Sequence, residues 1–475
     1  MKSKVLKLFA ANTFSYLLVG LSFIAYSRLL SPSEFGTYGA AFALASMLAL
    51  VLDGGIKTTI IKMSRELTDA EEVTILCLML CGAGLITLLF ALLQSPMLRW
   101  KPQLAADYHF AVLFVGSALI FYPLVTLPTA RLERRLDYGH IAWIESTSML
   151  LERGAPAIFL IAFHSGVYAF FWALLLSRSF RLCALSIFHY PAIWRFSFRT
   201  VHEAFHLLHE GSWIQLGSLA NVVRDNLPLL LVGPFFGKVW IGNYTWALQV
   251  CQISSQAFAQ ISARVSLPIF AQQNDFEARW PSYLQQIRLL ATLTAPVLCA
   301  VWLILPSVNT RLFHGKWAPA LALVPLLFLR MLPGLATTPL GPLVLVHCGG
   351  FIYAKLSCIW TTCEFLAALL CLYCIGPTGL AWSYAFMVWV GLGLMLSPLS
   401  EARRHLTGPL ITQILRRPSL AFSVIAALSL AFVLRDVSSK YGDNIWLFGT
   451  LASVIVLAAY CLEPEMRQLV RNAKA

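Results

Sequence analysis

Charge is what this sequence has little of. Charged residues make up 12% of its 475 positions, hydrophobic residues 59%, and the mean hydropathy is +0.73. A soluble globular domain carries about 25% charged residues. A chain this long with half that complement cannot cover a water-facing surface. That excludes a soluble enzyme and a nucleic-acid binder, and leaves lipid as the main solvent. Acids are scarcer than bases, 22 against 35, for a net charge of +13.

Other absences narrow the reading. There is no GxxxxGK[ST] loop, so ATP hydrolysis by that route is excluded. Eleven cysteines are present, but Cys77, Cys81, Cys299, Cys371 and Cys374 lie inside apolar runs, where Cys acts as a small hydrophobe. Cys371 and Cys374 have CxxC spacing without a second pair at zinc spacing. His202-Glu203-Ala204-Phe205-His206 matches HExxH literally. A zinc hydrolase also needs a third ligand and an open coordination position. Here the motif sits among Trp194, Phe196, Phe198, Leu207 and Leu208, a mixture expected of an interfacial amphipathic helix. No metal is expected.

What is present in quantity is apolar runs. A transmembrane helix needs about 20 mostly apolar residues. Fourteen runs qualify, at 8–30, 38–56, 73–94, 109–129, 141–163, 165–187, 211–233, 240–262, 287–307, 320–343, 356–375, 378–398, 418–434 and 445–462. The first follows Lys2, Lys4 and Lys7, is long and lacks a small-residue cleavage site, so it reads as an anchor. With the N-terminus inside, and with Arg28, Arg178, Arg181 and Arg288 near span ends counted with the flank each adjoins, inside segments hold 24 Lys and Arg and outside loops 8, with three more arginines within spans. Reversal would invert that bias, so the basic balance is an orientation signal and both termini are expected in the cytoplasm. Every outside loop is short, which leaves no room for the glycosyl-transfer site of a polytopic polymerase or ligase.

The stretch 188–210 divides two similar halves. Phe35-Gly36-Thr37-Tyr38 opens the second span and Ile241-Gly242-Asn243-Tyr244 the eighth. Pro128 late in span four is echoed by Pro339 late in span ten. Such repeats mark secondary transporters, with the substrate between the halves.

These residues carry a family resemblance. Arg28-Leu29-Leu30-Ser31-Pro32-Ser33-Glu34-Phe35-Gly36-Thr37-Tyr38 resembles the signature after the first helix of bacterial polysaccharide flippases. Asp53-Gly54-Gly55, the run Asp225-Asn226-Leu227-Pro228 through Gly233, Leu267-Pro268-Ile269-Phe270 and Leu312-Phe313-His314-Gly315-Lys316-Trp317 are similar to later segments, in order. The set resembles the O-antigen and polysaccharide branch of the multidrug/oligosaccharidyl-lipid/polysaccharide (MOP) exporter superfamily. The resemblance implies an all-α polytopic fold with two six-helix lobes around a central cavity. Lobes are expected at 1–187 and 211–398, a cytoplasmic linker at 188–210, and two extra helices with a tail at 399–475; many members have only twelve helices. It further implies a flippase in the bacterial inner membrane. The cargo would be an undecaprenyl-diphosphate-linked oligosaccharide, moved by alternating access and driven by a proton or sodium gradient, with no other cofactor. Implied partners are the lipid-linked oligosaccharide, membrane lipid and the polysaccharide polymerase machinery, with no nucleic acid.

Ionisable residues at membrane depth cost about 2.5–3.5 kcal/mol each on insertion scales and usually face a cavity or a partner. They are Glu145, Glu152 and Arg153 in span five, Arg224 and Asp225 in span seven, Arg330 in span ten and Glu364 in span eleven, with Asp53 near an inside end. Sequence neighbours on a helix point about 100° apart, so Arg153 and Arg224 are expected to find counter-charges on other helices or on the substrate. Arg suits phosphate oxygens. Arg224, Arg330 and Arg153 are therefore the expected substrate contacts, and Asp225, Glu152, Glu364 and Asp53 the expected ion-coupling acids. Three intramembrane arginines disfavour a competing cargo class, small amphipathic cations. Span ten holds Pro325, Pro333, Pro339 and Pro342, which predict a broken helix lining a cavity.

The topology is testable with reporter fusions. A fusion after Trp317 should report outside and one after the last residue inside. An outside signal at the C-terminus would remove or add one span.

Overall fold

Residues 18–57, 60, 67–93, 105–134, 138–188, 213, 215–226, 229, 231, 236–273 and 275–399 are described by the computed structural model. Among them all regular structure is helical. The elements are α1 (Leu18–Leu29), α2 (Pro32–Asp53), α3 (Asp69–Leu92), α4 (Ala105–Arg134), α5 (Tyr138–Phe163) and α6 (Tyr168–Phe188). There follow α7 (215–226), α8 (Lys238–Gln272), α9 (Phe276–Leu312), α10 (Val324–Cys348), α11 (Gly350–Ile375) and α12 (Gly379–Leu396). Each overlaps one of the first twelve expected spans. The last two expected spans, most of the linker and its HExxH motif lie outside the described residues. Six described helices are long and apolar enough to cross a membrane, and a seventh if bent α10 and the turn before it count as one. The chain is a multi-pass membrane protein.

Capping chemistry sets several helix starts. The Ser31 hydroxyl accepts from the Glu34 backbone N–H, while the Glu34 carboxylate accepts from the Ser31 N–H at 2.8 Å. Pro32 sits in the first turn, where its missing N–H costs nothing. The box starts α2 six residues before the apolar run does. Thr68 and Glu71 repeat the device at α3. Gly54 ends α2 at φ 54° and Gly55 follows at φ 79°, a left-handed exit that side chains disfavour.

Two compact units emerge: Met1–Trp246 with Gly350–Leu380, and Ala247–Gly349 with Ala381–Ala475. In the first, α2 and α3 pack on α4, and α6 packs on both α4 and α5. The first turns of α8 also belong here. A Cβ on Gly36 would fall on the Lys238 carbonyl, and one on Gly242 on the Pro32 carbonyl. The two echoing Gly positions are thus each other's contact, backbone to backbone. Gly39 meets the Thr245 side chain one turn on. Around this crossing Trp246 Nε1 donates to Ser27 Oγ at 2.9 Å, and Tyr38 stacks on Phe170 with centroids 3.8 Å apart. Thr37 donates to Asp107 Oδ1 and Lys238 Nζ to Asp107 Oδ2, both at 2.9 Å, tying α2, α4 and α8 together at their N-terminal ends.

In the second unit α9 packs on α10. The turn between them is stapled to Asn309, whose carbonyl accepts from Phe313 and Gly315 and whose side chain accepts from the Trp317 N–H. Phe313 and Trp317 are buried beneath it. Helix α10 and the turn before it bend by 42° between Met331 and Pro333. Pro325 takes no part, because it occupies the first turn of α10. Pro333, Pro339 and Pro342 lie inside the helix.

Gly36→Ala should destabilise the protein by about 1–3 kcal/mol, because the new methyl meets backbone that cannot yield. Gly84→Ala, in a helix with nothing near its Cβ, serves as control. Thermal unfolding in detergent reads both; equal stability of the two variants would show that the close crossing is not needed.

Candidate functional site

Helix α7 presents Arg224 to α11. Its Nε lies 3.8 Å from the Glu364 carboxylate, and its guanidinium carbon sits 3.6 Å above the Trp360 ring. Both partners are buried, Glu364 at 2% side-chain exposure. The counter-charge for Arg224 is therefore supplied by another helix of the same unit. Asp225 also approaches, at 3.9 Å, which corrects the expectation that these neighbours keep apart. With 54% exposure it is a screened, marginal contact, and Glu364 is the partner that matters. Around the pair, Asn221 donates to Tyr353 Oη at 2.7 Å and Thr361 to the Ala220 carbonyl at 2.9 Å.

A second group of charges lies between α5 and α6. Arg178 Nη2 meets Glu152 at 3.3 Å, and Arg181 Nη2 meets Glu145 at 3.6 Å and Thr129 Oγ1 of α4 at 3.4 Å. Arg178 and Arg181 were counted above with the inside linker; the structure places both in α6, Arg178 ten residues past its start at Tyr168. They are the intramembrane charges that the sequence reading missed. The signal was available, since the spacing of Glu145 and Glu152 on one face asks for two cations on a facing helix. Arg153 differs from both: it is half-buried, has no ion pair among the described residues, and stands within electrostatic reach of Tyr26 and Tyr38.

Asp53 ends α2, buried, and accepts from the Tyr122 hydroxyl at 3.2 Å. Nearby, Lys57 pairs with Glu133 at 2.8 Å and Arg131 with Glu72, a cluster at the expected inner face. Arg330 belongs to the second unit, at the bend of α10, with its guanidinium 4.2 Å above the Tyr384 ring. The described cysteines are free, and among the described residues no His, Cys, Asp and Glu cluster could hold a metal.

An all-helical bundle with charges at depth and a proline-bent helix is the build of a membrane carrier. Comparison with solved structures gives the fold. The chain resembles "Lipid II flippase MurJ, inward closed conformation", with a TM-score of 0.69 and 14% identity over 98% of this chain and 100% of that one. It also resembles an inward-facing "multidrug resistance MATE family transporter of the MOP superfamily", with a TM-score of 0.56 and 16% identity over 83% of this chain and 96% of the other. The fold is that of the MOP superfamily. Residues 25–322, more than half of the chain, match the family described as Polysaccharide biosynthesis protein (Polysacc_synt_3), and the chain belongs to that family. Among curated relatives it is 25% identical to the "Teichuronic acid biosynthesis protein TuaB" of Bacillus subtilis (strain 168), over 71% of this chain and 69% of that protein. It is 23% identical to the "Succinoglycan biosynthesis transport protein ExoT" of Rhizobium meliloti (strain 1021), over 65% and 62%.

The Arg224–Glu364 pair gives a stability test. Glu364→Gln leaves a buried cation without its carboxylate and should cost about 3 kcal/mol. Replacing both residues with Met removes the charge and the need for it, and should recover most of that loss. A double variant as unstable as the single one would show that the two charges are not coupled.

Proposed function

We propose that this protein is a flippase. It carries an undecaprenyl-diphosphate-linked oligosaccharide across the bacterial inner membrane during polysaccharide synthesis, with both termini in the cytoplasm. The family, the names of TuaB and ExoT, and the likeness to a lipid II flippase support the class. The observation that carries the cargo is Arg153. A cation at that depth costs several kcal/mol unless compensated, and this one, half-buried, has no ion pair among the described residues. A mobile anion supplies the compensation. Arg330, held over an aromatic ring at the bend of α10, is the corresponding contact in the second unit. Arg224 is a weaker assignment, since Glu364 already balances it.

On this reading transport proceeds by alternating access of two lobes, coupled to a proton or sodium gradient. Asp225, half exposed and 3.9 Å from Arg224, and Asp53, which accepts from the Tyr122 hydroxyl near the inner end of α2, are the proposed carriers of the coupling ion. Glu152 and Glu364 already face arginines. The MATE likeness raises a second cargo class, small organic cations, for which a site rich in arginine is the wrong sign.

Flipping of lipid-linked sugar by protein reconstituted in vesicles tests the reading. Arg153→Ala and Arg330→Ala, each folded and inserted, should lower the rate at least about tenfold, the equivalent of one lost charge-assisted contact. Arg153→Lys should fall between, because it keeps the charge and loses the fork. Rates equal to the parent in both Ala variants would make these arginines structural.

A further inference from the structure

The charges between α5 and α6 do not balance as a structural salt-bridge network would. Arg178 and Arg181 are three apart, on one face of α6, and repel each other. Each approaches its carboxylate through Nη2, at 3.3 and 3.6 Å, longer than the 2.7–2.9 Å of a tight charge-assisted bond. The Nε–H of each is buried and has no acceptor among the described residues. A buried donor left unmet costs about 1–3 kcal/mol, so two in one cluster mark an arrangement built for more acceptor than it holds. Both side chains keep some exposure, 23% and 19%. All of this lies within one compact unit.

We infer that Arg178 and Arg181 form a seat for the phosphate oxygens of a lipid headgroup, which they take by giving up Glu152 and Glu145. A diphosphate offers more oxygens than two carboxylates and can bridge both guanidiniums, which turns their repulsion into a shared contact. The ladder of pairs is then the closed form of the seat: it keeps the two arginines folded at depth when no cargo is bound. The carboxylates compete with the headgroup, so they weaken binding. A merely structural pair of salt bridges would not behave that way. The inference rests on the transport reading only for the identity of the headgroup as cargo; a bulk phospholipid phosphate has the same chemistry.

The test uses the purified full-length protein in detergent and measures binding of undecaprenyl diphosphate, with phosphatidylglycerol and inorganic diphosphate as competitors. Glu145→Gln with Glu152→Gln frees the arginines and should tighten binding about tenfold, a shift of about 1.4 kcal/mol. Arg178→Gln with Arg181→Gln should weaken it at least as much. Since that variant strands two acids and can misfold, the variant with all four changed to Gln leaves no stranded charge and should bind as weakly. Unchanged or weaker binding in the folded Glu variant, or parent-like binding in the fourfold variant, overturns the seat. If the seat fails while the parent still flips lipid-linked sugar in vesicles, the transport reading stands. If phosphatidylglycerol binds with the same charge dependence and undecaprenyl diphosphate does not, the seat stands and the cargo reading fails.

Discussion

The contact on which the first unit depends is the touch of two backbones, at Gly36 and Gly242. Helices in lipid gain nothing from excluding water, so they associate by close packing and by polar contacts. Removing both side chains lets α2 and α8 approach closely enough for the Lys238 and Pro32 carbonyls to occupy the space of the missing methyls. Everything that ties the N-terminal ends together follows from that approach. Lys238 comes within 2.9 Å of Asp107, Asp107 takes the Thr37 hydroxyl, and Trp246 reaches Ser27. None of these bonds could form with the helices a side chain further apart.

The second constraint is that charge at depth must be answered. Arg224 has Glu364 and Trp360, Arg178 has Glu152, Arg181 has Glu145, and Arg330 has the face of Tyr384. The answers come from other helices, so a reading that looks three or four residues either way finds none. This explains why the counter-charge of Arg224 could be demanded from sequence but not named. It also separates Arg153 from the rest.

The twelve described helices were legible because apolar windows locate the crossing of a bilayer. Their ends were not, because ends obey capping and packing. Ser31 and Glu34 start α2 ahead of its apolar run. Helices α8 and α9, of 35 and 37 residues, run about 50 Å at 1.5 Å per residue, well past a 30 Å hydrocarbon core, with polar turns that hydropathy reads as loop. Arg178 and Arg181 were missed for the same reason: two arginines near the end of an apolar run look like an inside flank, whereas packing against α5 holds them in the helix. The echo of Phe35-Gly36 in Ile241-Gly242 was legible as a repeat; that the two copies touch is a fact of tertiary structure.

A carrier must bind its cargo and then let it go, so strong unopposed sites are as harmful as none. Arginines that already hold carboxylates meet this condition by construction. A headgroup taken by such arginines would gain only the difference between its own contacts and those it displaces, and its departure would restore the pair rather than expose a bare charge. Apolar residues in place of the pairs would cost less to insert but would leave nothing to exchange. On the inference drawn for Arg178 and Arg181, their pairs with Glu152 and Glu145 are alternatives to a ligand rather than fixed supports. An aromatic face under Arg330 follows the same logic in weaker form, since a ring attracts a guanidinium without competing for its donors. On this view the acids at depth set the strength of binding, and the arginines set its sign.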